Sequence, residues 1–452
     1  MNKSDKTGLI FFPAFDWAIS PTHPEREERL LYTRDQIFEE GLMDLPQIRE
    51  YKPRLAEYKD IARTHFCVPG IKEQVTEAHL IAAGAALVMA DALMAGDIRN
   101  GFALVRPPGH HAMKVVHGNR GFCNINNEAI MVDYLRKKYG LKKIAIIDSD
   151  VHHGDGTQDI FYHDRDVLFI SFHQGGRTLF PGTGATSETG GPTAYGRTLN
   201  IPLPLGTTDE GLHFIVDRLI LPILDEFKPD LIINSAGQDN HFSDPLANMS
   251  MTAQGYARFN EKLRPDIAVL EGGYAIETAL PYVNTGIILA MAGLDYSHVV
   301  EPDYAPGMFS LSAVKKAEIT EVVEKLWDIW KHRNDNNFEA LKAKQDFWQR
   351  QKFVFYDTDG IKEHQTERLR LCRDCGGYLS IVSQAMHQTG NINNILGLSI
   401  PFQGCRVCRE EAYAEYERAV KRSTFDFIYL QDRAEDLYKV HSREKGTEWE
   451  EE

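Results

Sequence analysis

The densest group of ionisable side chains follows a short apolar run near the middle of the chain. Residues 144–147 predict a strand buried on both faces, and five acids and histidines follow it within eight residues: Asp148, Asp150, His152, His153 and Asp155. Asp150 and His152 are two residues apart, so in an extended chain their side chains point to the same side and can bind one metal ion. A solvated acidic loop is the alternative interpretation, but such loops rarely alternate Asp and His directly after an aliphatic run.

Other polar groups could complete a hydrolytic site around that metal. Asp239 follows an apolar run and supplies a second carboxylate, so that Asp150, His152 and Asp239 leave an open fourth position for water and substrate. The adjacent His110 and His111 can transfer protons if Asp148 and Asp155 orient them, and the hydroxyl of Tyr274 can stabilise an oxyanion. These residue types predict metal-assisted hydrolysis without a serine or cysteine nucleophile.

The elements that must position these residues are strands of a parallel sheet. Apolar runs alternate with helical patterns, which predicts an α/β fold with a parallel sheet and helices on both faces. Every polar cluster comes directly after a predicted strand, and sites in such sheets form outside the carboxyl ends of the strands. The predicted strands cover residues 8–12, 102–105, 144–147, 167–170, 231–233 and 267–270.

The C-terminal part carries a second metal motif. Cys372 and Cys375 form one Cys-x-x-Cys pair, and Cys405 and Cys408 form another. Two such pairs resemble a zinc ribbon and predict a closed structural zinc site, because four thiolates leave no open position. We predict three segments: a catalytic domain over 1–335, a helical connector over 336–370, and a zinc-ribbon-like module with a helical tail over 371–452.

Composition limits the partners. The chain has 452 residues, 43% of them hydrophobic and 25% charged, with a net charge of −15, which argues against direct binding to nucleic acid or anionic membranes. We find neither a signal peptide nor an apolar run long enough to span a bilayer, and therefore expect a cytoplasmic protein. The sequence leaves the oligomeric state open.

Seven ordered motifs resemble the zinc-dependent histone deacetylase family, which has the arginase/deacetylase fold and includes bacterial amidohydrolases. The motifs are RPPGHHA, GFCNINNEA, DSDVHHGDGTQDIF, SFHQ, FPGTG, SAGQD and LEGGY, and the resemblance covers roughly residues 8–292. It implies that Asp150, His152 and Asp239 bind zinc, although an oxygen and nitrogen ligand set also accepts ferrous iron. It implies that His111 is the general base, oriented by Asp155.

The resemblance also implies roles for the surrounding residues. His110 would pair with Asp148, and Tyr274 would bind the acyl carbonyl. A narrow tunnel for an acylated lysine-like chain would be lined by Gly121, Phe122, Phe180, Leu246 and Gly273. The implied potassium site uses Asp148, Asp150, His152, Ser171 and Phe172. Leu246 stands where the polyamine-selective branch has Glu, which disfavours that mode of polyamine selection.

We therefore expect a deacylase that removes an acetyl or short acyl group from a lysine side chain in a protein or peptide. One alternative keeps the chemistry but changes the substrate to acetylpolyamines or other small N-acyl amines. Another is a catalytically weak acyl-binding protein whose ribbon recruits a partner. The complete set of His110, His111 and Tyr274 argues against that last alternative.

Overall fold

The computed structural model describes residues 4–175, 179–335, 338–444 and 447–450. Ten strands belong to the N-terminal part: β1 Thr7–Phe12, β2 Ile48–Glu50, β3 Phe66–Cys67, β4 Asn100–Val105, β5 Val115–Val116, β6 Ile144–Asp148, β7 Val167–Gln174, β8 Thr198–Leu203, β9 Leu231–Ala236 and β10 Ile267–Leu270. Eleven helices accompany them: α1 Leu31–Glu39, α2 Tyr58–Ala62, α3 Ile71–Gln74, α4 Glu77–Met94, α5 Asn127–Tyr139, α6 Asp155–Phe161, α7 Asp209–Ile215, α8 Leu221–Phe227, α9 Ala253–Leu263, α10 Leu280–Ala292 and α11 Ala313–Lys331.

An eight-stranded sheet forms the centre of this part, in the order β2-β1-β4-β10-β9-β6-β7-β8. Every neighbouring pair is parallel. The central strands are mostly apolar because helices cover both faces, and two separate hydrophobic clusters fill the two sides. The predicted fold class is confirmed, and the strands that carry the polar clusters are neighbours in the sheet.

Local sequence explains the boundaries of α5, the helix that follows residues 118–122, which we call the tunnel loop. Asn126 is its N-cap, and its side-chain oxygen accepts a hydrogen bond of 2.8 Å from the amide of Ala129. The helix ends at Gly140, which adopts a left-handed φ of 71°.

Among the described residues, one helix has the length and composition of a membrane span. This is α4, and 61% of its apolar window is buried inside the molecule. It packs in one of the two core clusters through its Ala, Leu and Met side chains, so it satisfies that test as a core helix.

The C-terminal part forms a second, seven-stranded sheet. Its elements are α12 Phe338–Lys344, β11 Phe347–Tyr356, β12 Ile361–Arg370, β13 Leu379–Met386, β14 Ile392–Ile400, α13 Arg406–Arg422, β15 Phe427–Asp432, β16 Leu437–Ser442 and β17 Thr447–Glu450. The strands follow one another in chain order, and only the β14–β15 pair, which α13 connects, is parallel.

The predicted helical connector over 336–370 is therefore wrong from Phe347 onward, and the predicted helical tail ends with α13. On β12 the buried positions include Glu363, Gln365 and Glu367. Each of these three side chains makes a hydrogen bond with another side chain of the same sheet. The strand alternates in burial without alternating in hydrophobicity, so its sequence lacks the usual strand signal. Residues 336 and 337, at the predicted domain boundary, lie outside the described residues.

The two parts share a large polar interface. The ring of His117, from the N-terminal part, lies 2.9 Å (Nε2 to Oγ) from Ser383, whose hydroxyl donates to Glu363. Arg350 donates two hydrogen bonds to Glu367 at 3.1 and 3.0 Å, and the ring of His163 is hydrogen-bonded to the same carboxylate. Because these groups are buried and mutually paired, separating the two parts would expose charges without partners.

Candidate active site

The three predicted metal ligands converge at the carboxyl ends of β6 and β9. One donor atom each from Asp150, His152 and Asp239 lies within 4.8 Å of the others. Nδ1 of His152 is 3.0 Å from Oδ1 of Asp150 and 3.2 Å from Oδ2 of Asp239. Both carboxylates are fully buried. Burial and the charge of Asp150 raise the pKa of Asp239, a repulsion that a bound cation would relieve.

Backbone groups hold the two carboxylates in place. The amide of Gly272 donates to Oδ2 of Asp150 at 2.7 Å, and the amide of Val151 donates to Oδ1 of Asp239 at 2.8 Å. A Cβ on Gly272 would lie 2.2 Å from Oδ2 of Asp239, so only glycine permits this close approach. Two carboxylates and one imidazole, held together and mutually repelling, fit a divalent ion with an open coordination position.

The adjacent histidines occupy different electrostatic environments. Nδ1 of His110 lies 3.1 Å from Oδ2 of Asp148, and Nδ1 of His111 lies 2.9 Å from Oδ1 of Asp155. Burial opposes protonation of His110, but the carboxylates of Asp150 and Asp148 outweigh it and raise its pKa to about 9. Burial, together with the charge of His110, lowers the pKa of His111 to about 3. His110 is therefore a cation and His111 a neutral base.

The carboxylate of Asp155 determines which nitrogen of His111 is available. Burial alone would raise the pKa of Asp155, but the guanidinium of Arg120 holds it well below the ordinary value. Nη1 of Arg120 donates to Oδ1 of Asp155 at 2.7 Å. An ionised carboxylate only accepts hydrogen bonds, so Nδ1 of His111 carries the proton and Nε2 has a free lone pair.

The rings of Phe122 and Phe180 each contact a residue of the candidate site. The rings of His111 and Phe180 are in edge contact, with centroids 5.1 Å apart, and those of Phe122 and Tyr274 are 5.5 Å apart. Tyr274 is 7% exposed, and burial raises the pKa of its phenol well above the ordinary value, so the hydroxyl remains a donor. Gly121 lies between the rings of His111 and Phe180, since a Cβ on this residue would meet both.

The remaining predicted tunnel residues flank Tyr274. Gly273 precedes it with a φ of 120°, a conformation that favours glycine. Asp244 accepts from the amide of Tyr274 at 2.7 Å and from the amide of Leu246 at 2.9 Å. Leu246 is half-buried and is connected to the tyrosine through this one carboxylate.

A buried ionic group behind Tyr274 was missed in the sequence. The guanidinium of Arg29 lies 4.8 Å from the Tyr274 ring centroid, and its Nε donates to the carbonyl of Gly273 at 2.8 Å. Glu25 pairs with Arg29 at 2.8 Å and with Arg106 at 2.7 Å. Glu25 and Arg29 belong to none of the sequence motifs, and only Arg106 lies within one, RPPGHHA.

The residues of the implied potassium site lie on two adjacent strands, β6 and β7, and in the loop after β6, which carries Asp150 and His152. Asp148 on β6 is opposite Ser171 on β7, and Phe172 follows. Oδ1 of Asp148 accepts from the amide of Asp150 at 3.1 Å. The side chain of Ser171 is within 2.9 Å of Nδ1 of His173. The geometry brings the predicted residues together, and the ion itself stays a prediction.

The four cysteines of the C-terminal part also come together. Their sulfur atoms lie within 4.8 Å of one another, and those of Cys372 and Cys405 are 3.8 Å apart. The first pair lies between β12 and β13, whereas Cys405 is the N-cap of α13 and Cys408 lies in the first turn of that helix. Four thiols at this spacing form a closed set that could bind one zinc ion.

Comparisons with known proteins agree with the geometry. Residues 68–290 match the family described as "Histone deacetylase domain". A "Probable deacetylase" from Archaeoglobus fulgidus is 45% identical over 66% of this chain and 90% of its own length. The "Polyamine deacetylase HDAC10" of Mus musculus is 39% identical over 44% of this chain and 31% of its own length. A crystal structure titled "Crystal Structure of HDA15 HD domain" superposes with a TM-score of 0.62 at 26% identity, covering 75% of this chain and 99% of that one.

The fold places a candidate metal site of hydrolase type at the carboxyl edge of a parallel sheet. The match to the archaeal relative extends over nearly its whole length, and the family match spans every strand that leads to a site residue. The chain belongs to the histone deacetylase family.

Proposed function

We propose that the protein is a zinc-dependent deacylase that removes an acetyl or other short acyl group from a lysine side chain in a protein or peptide. The observation that carries this proposal is the arrangement of His111. Its neutral ring has a free Nε2, and the ring centroid lies 6.0 Å from that of the predicted metal ligand His152. The phenol of Tyr274, in the same site, stays protonated. A base, an oxyanion donor and an open metal position are the three requirements for amide hydrolysis by water.

The residues divide the work as follows. A zinc ion held by Asp150, His152 and Asp239 would polarise the amide carbonyl and acidify water. Nε2 of His111 accepts the proton of the attacking water and returns it to the leaving amine. Asp155 keeps the other ring nitrogen protonated, and the hydroxyl of Tyr274 donates a hydrogen bond to the carbonyl oxygen as negative charge develops on it.

Two features of the proposal concern ions and substrates. The ligand set accepts ferrous iron as well as zinc, and Asp148 with Ser171 supports a potassium ion next to the site.

The tunnel rings favour a methylene stem, which lysine and polyamines share. The likeness to a mouse polyamine deacetylase favours acetylpolyamines as a second candidate substrate, whereas the apolar Leu246 offers no charge for a second ammonium group.

Turnover on a matched substrate set tests the proposal. We expect kcat/KM for an acetyl-lysine peptide to exceed that for acetylspermidine and acetylputrescine. The opposite order would establish the polyamine candidate. Absence of turnover on every acylated amine, with active-site metal bound, would contradict deacylation of short acyl groups.

The Tyr274→Phe variant tests the mechanism. Removing an oxyanion donor costs about 100-fold to 1,000-fold in kcat, and we expect a loss of that size with the metal content unchanged. Tyr32→Phe, at an exposed tyrosine of α1, is the matched control and should turn over normally. Equal activity in the two variants would remove the oxyanion role of Tyr274.

A further inference from the structure

The turn between β11 and β12, residues 357–360, reaches from the C-terminal sheet to the tunnel loop of the catalytic part. Oδ1 of Asp357 accepts a hydrogen bond of 2.7 Å from the amide of Gly121. Oδ2 of Asp359 accepts one of 2.6 Å from the amide of Asn119. Two carboxylates of one turn thus bind alternate amides of the loop that lines the proposed tunnel.

The tunnel loop has a backbone conformation that requires outside support. Gly121 has a φ of 53° and Phe122 a φ of 68°, and the left-handed region is unfavourable for a bulky residue such as phenylalanine. The ring of Phe122 is placed by this conformation against His23 and Tyr274, with centroids 4.3 and 5.5 Å away. A hydrogen bond to the amide of Gly121 therefore fixes the residue that precedes the tunnel wall.

The fit between turn and loop is close. A Cβ on Gly118 would lie 2.3 Å from Oδ2 of Asp359. Because Gly118 has no side chain, the turn can approach the loop backbone closely. A chance contact between two surfaces would not require glycine at this position.

A second connection runs from the same hairpin to the base. The carbonyl of Phe355 accepts from Nε of Arg120 at 3.1 Å. The other end of this guanidinium pairs with Asp155, the carboxylate that orients His111. Arg120 also lies over Phe180, at 5.1 Å from the ring centroid. Both tunnel rings and the base thus depend on groups that the hairpin contacts.

Attachment of the C-terminal sheet does not require these contacts. Asp357 and Asp359 are exposed, whereas the buried interface relies on Glu363 and Glu367 of β12, which pair with His117 and His163 of the N-terminal part. The turn carboxylates are thus dispensable for docking and specific to the loop.

We propose that Asp357 and Asp359 are positioning residues for the tunnel wall, so that the C-terminal sheet sets the width of the substrate entrance. Its catalytic consequence rests on the proposed deacylase function, whereas its structural part does not. Loss of the Asp357 carboxylate frees the Gly121 amide and lets Phe122 move, which weakens binding of the acyl-lysine stem more than it slows the chemical step.

Two measurements on the full chain test this proposal. The first is amide hydrogen exchange of the tunnel loop, followed by mass spectrometry at peptide resolution. In Asp357→Ala we expect exchange within residues 118–122 to accelerate about 10-fold, as loss of one charge-assisted bond implies. The second is steady-state turnover of the acetyl-lysine peptide, where we expect KM to rise about 5-fold to 10-fold while kcat changes less than about 2-fold.

Matched variants separate positioning from general destabilisation. Asp357→Asn keeps an oxygen acceptor for the Gly121 amide and should restore both exchange and KM most of the way to wild type. Glu417→Ala removes an exposed carboxylate from α13 of the same sheet and should change neither. Asp359→Ala provides a second test and should accelerate exchange at Asn119.

The outcomes distinguish this proposal from the proposed function. Unchanged exchange in both Asp357→Ala and Asp359→Ala would overturn the positioning role, whatever the activity. Faster exchange with an unchanged KM would overturn the claim that the turn sets the entrance. If the wild-type chain turns over no acylated amine, the proposed function fails, and the exchange result alone then supports or overturns the structural part.

Discussion

Single atoms control the geometry of the base. A Cβ on Gly121 would lie 2.3 Å from Cδ2 of His111 and 2.9 Å from Cε1 of Phe180, closer than unbonded atoms approach each other. One methyl group at this position must displace either the base or the tunnel ring. Because the free nitrogen of His111 acts only within hydrogen-bond reach of water and amine, a small displacement has a large effect.

We therefore predict that Gly121→Ala lowers kcat/KM by about 100-fold, the usual effect of misplacing a catalytic group by about 1 Å. Gly41→Ala is the control, because Gly41 has a similar φ of 63° and no atom within 4 Å of its added Cβ. It introduces the same backbone strain without the clash. Equal losses of activity in the two variants would show that strain, rather than displacement of His111, causes the defect.

At the scale of residues, spacing in the sequence identified the residues to which we assign catalytic and metal-binding roles. Asp150, His152, His111 and Tyr274 each lie in a short motif that follows an apolar strand, so local pattern brings them into view. Arg29, Asp357 and Asp359 act through long-range contacts, and each is an ordinary charged residue in its own stretch of chain. Only the tertiary structure shows that they support the site.

At the scale of elements, strands with apolar sides were predictable and strands with polar buried sides were not. The central strands of the parallel sheet are continuous apolar runs, because both of their faces are covered. β12 buries Glu363, Gln365 and Glu367: Gln365 donates a hydrogen bond to Glu363, and Arg350 of β11 donates to Glu367. The alternation of apolar and polar residues that marks a strand is therefore absent from its sequence. Polar packing of this kind conceals secondary structure from any method based on hydrophobic period.

The buried side chain of His65 connects three segments near the loop that carries His110 and His111. It predicts how the folding stability changes with pH. Its Nδ1 lies 2.7 Å from the carbonyl of Met113, before β5, and its Nε2 accepts from the amide of Asn126, the N-cap of α5, at 3.0 Å. Burial lowers its pKa from 6.5 to about 3, so the folded protein keeps the ring neutral where the unfolded chain protonates it. Its contribution to stability is complete above pH 6.5 and is lost as the pH falls toward 3.

We predict that His65→Gln reduces the acid sensitivity of folding. The wild type should lose about 1.4 kcal/mol of unfolding free energy per pH unit below 6.5 through this residue, and the variant should not. Urea unfolding at pH 7.5 and pH 5 measures the difference. His364→Gln, at an exposed histidine of β12, should retain the wild-type pH dependence. The same slope in His65→Gln as in wild type would contradict this assignment.

At the scale of the whole molecule, the C-terminal sheet has the four-cysteine cluster at one end of β12 and the turn of residues 357–360 at the other. Cys372 follows the last residue of β12 closely, and Asp357 and Asp359 precede its first. Between them, β12 contributes Glu363 and Glu367 to the buried interface. The strand is thus anchored at its cysteine end, along its length and at its turn, so it connects the cysteine cluster to the loop beside the candidate active site.

Removal of one cysteine tests whether the four thiols form a separate, structural zinc site. In Cys372→Ser we expect metal analysis to show one ion per chain instead of two, with the active-site ion retained, because Asp150, His152 and Asp239 belong to the other sheet. The melting temperature should fall, since binding of a structural zinc ion contributes to folding stability. Cys67→Ser removes a buried thiol outside the cluster and should leave two ions bound. Two ions in Cys372→Ser would show that the cysteines do not hold zinc, and none would show that the active-site ion depends on the C-terminal sheet.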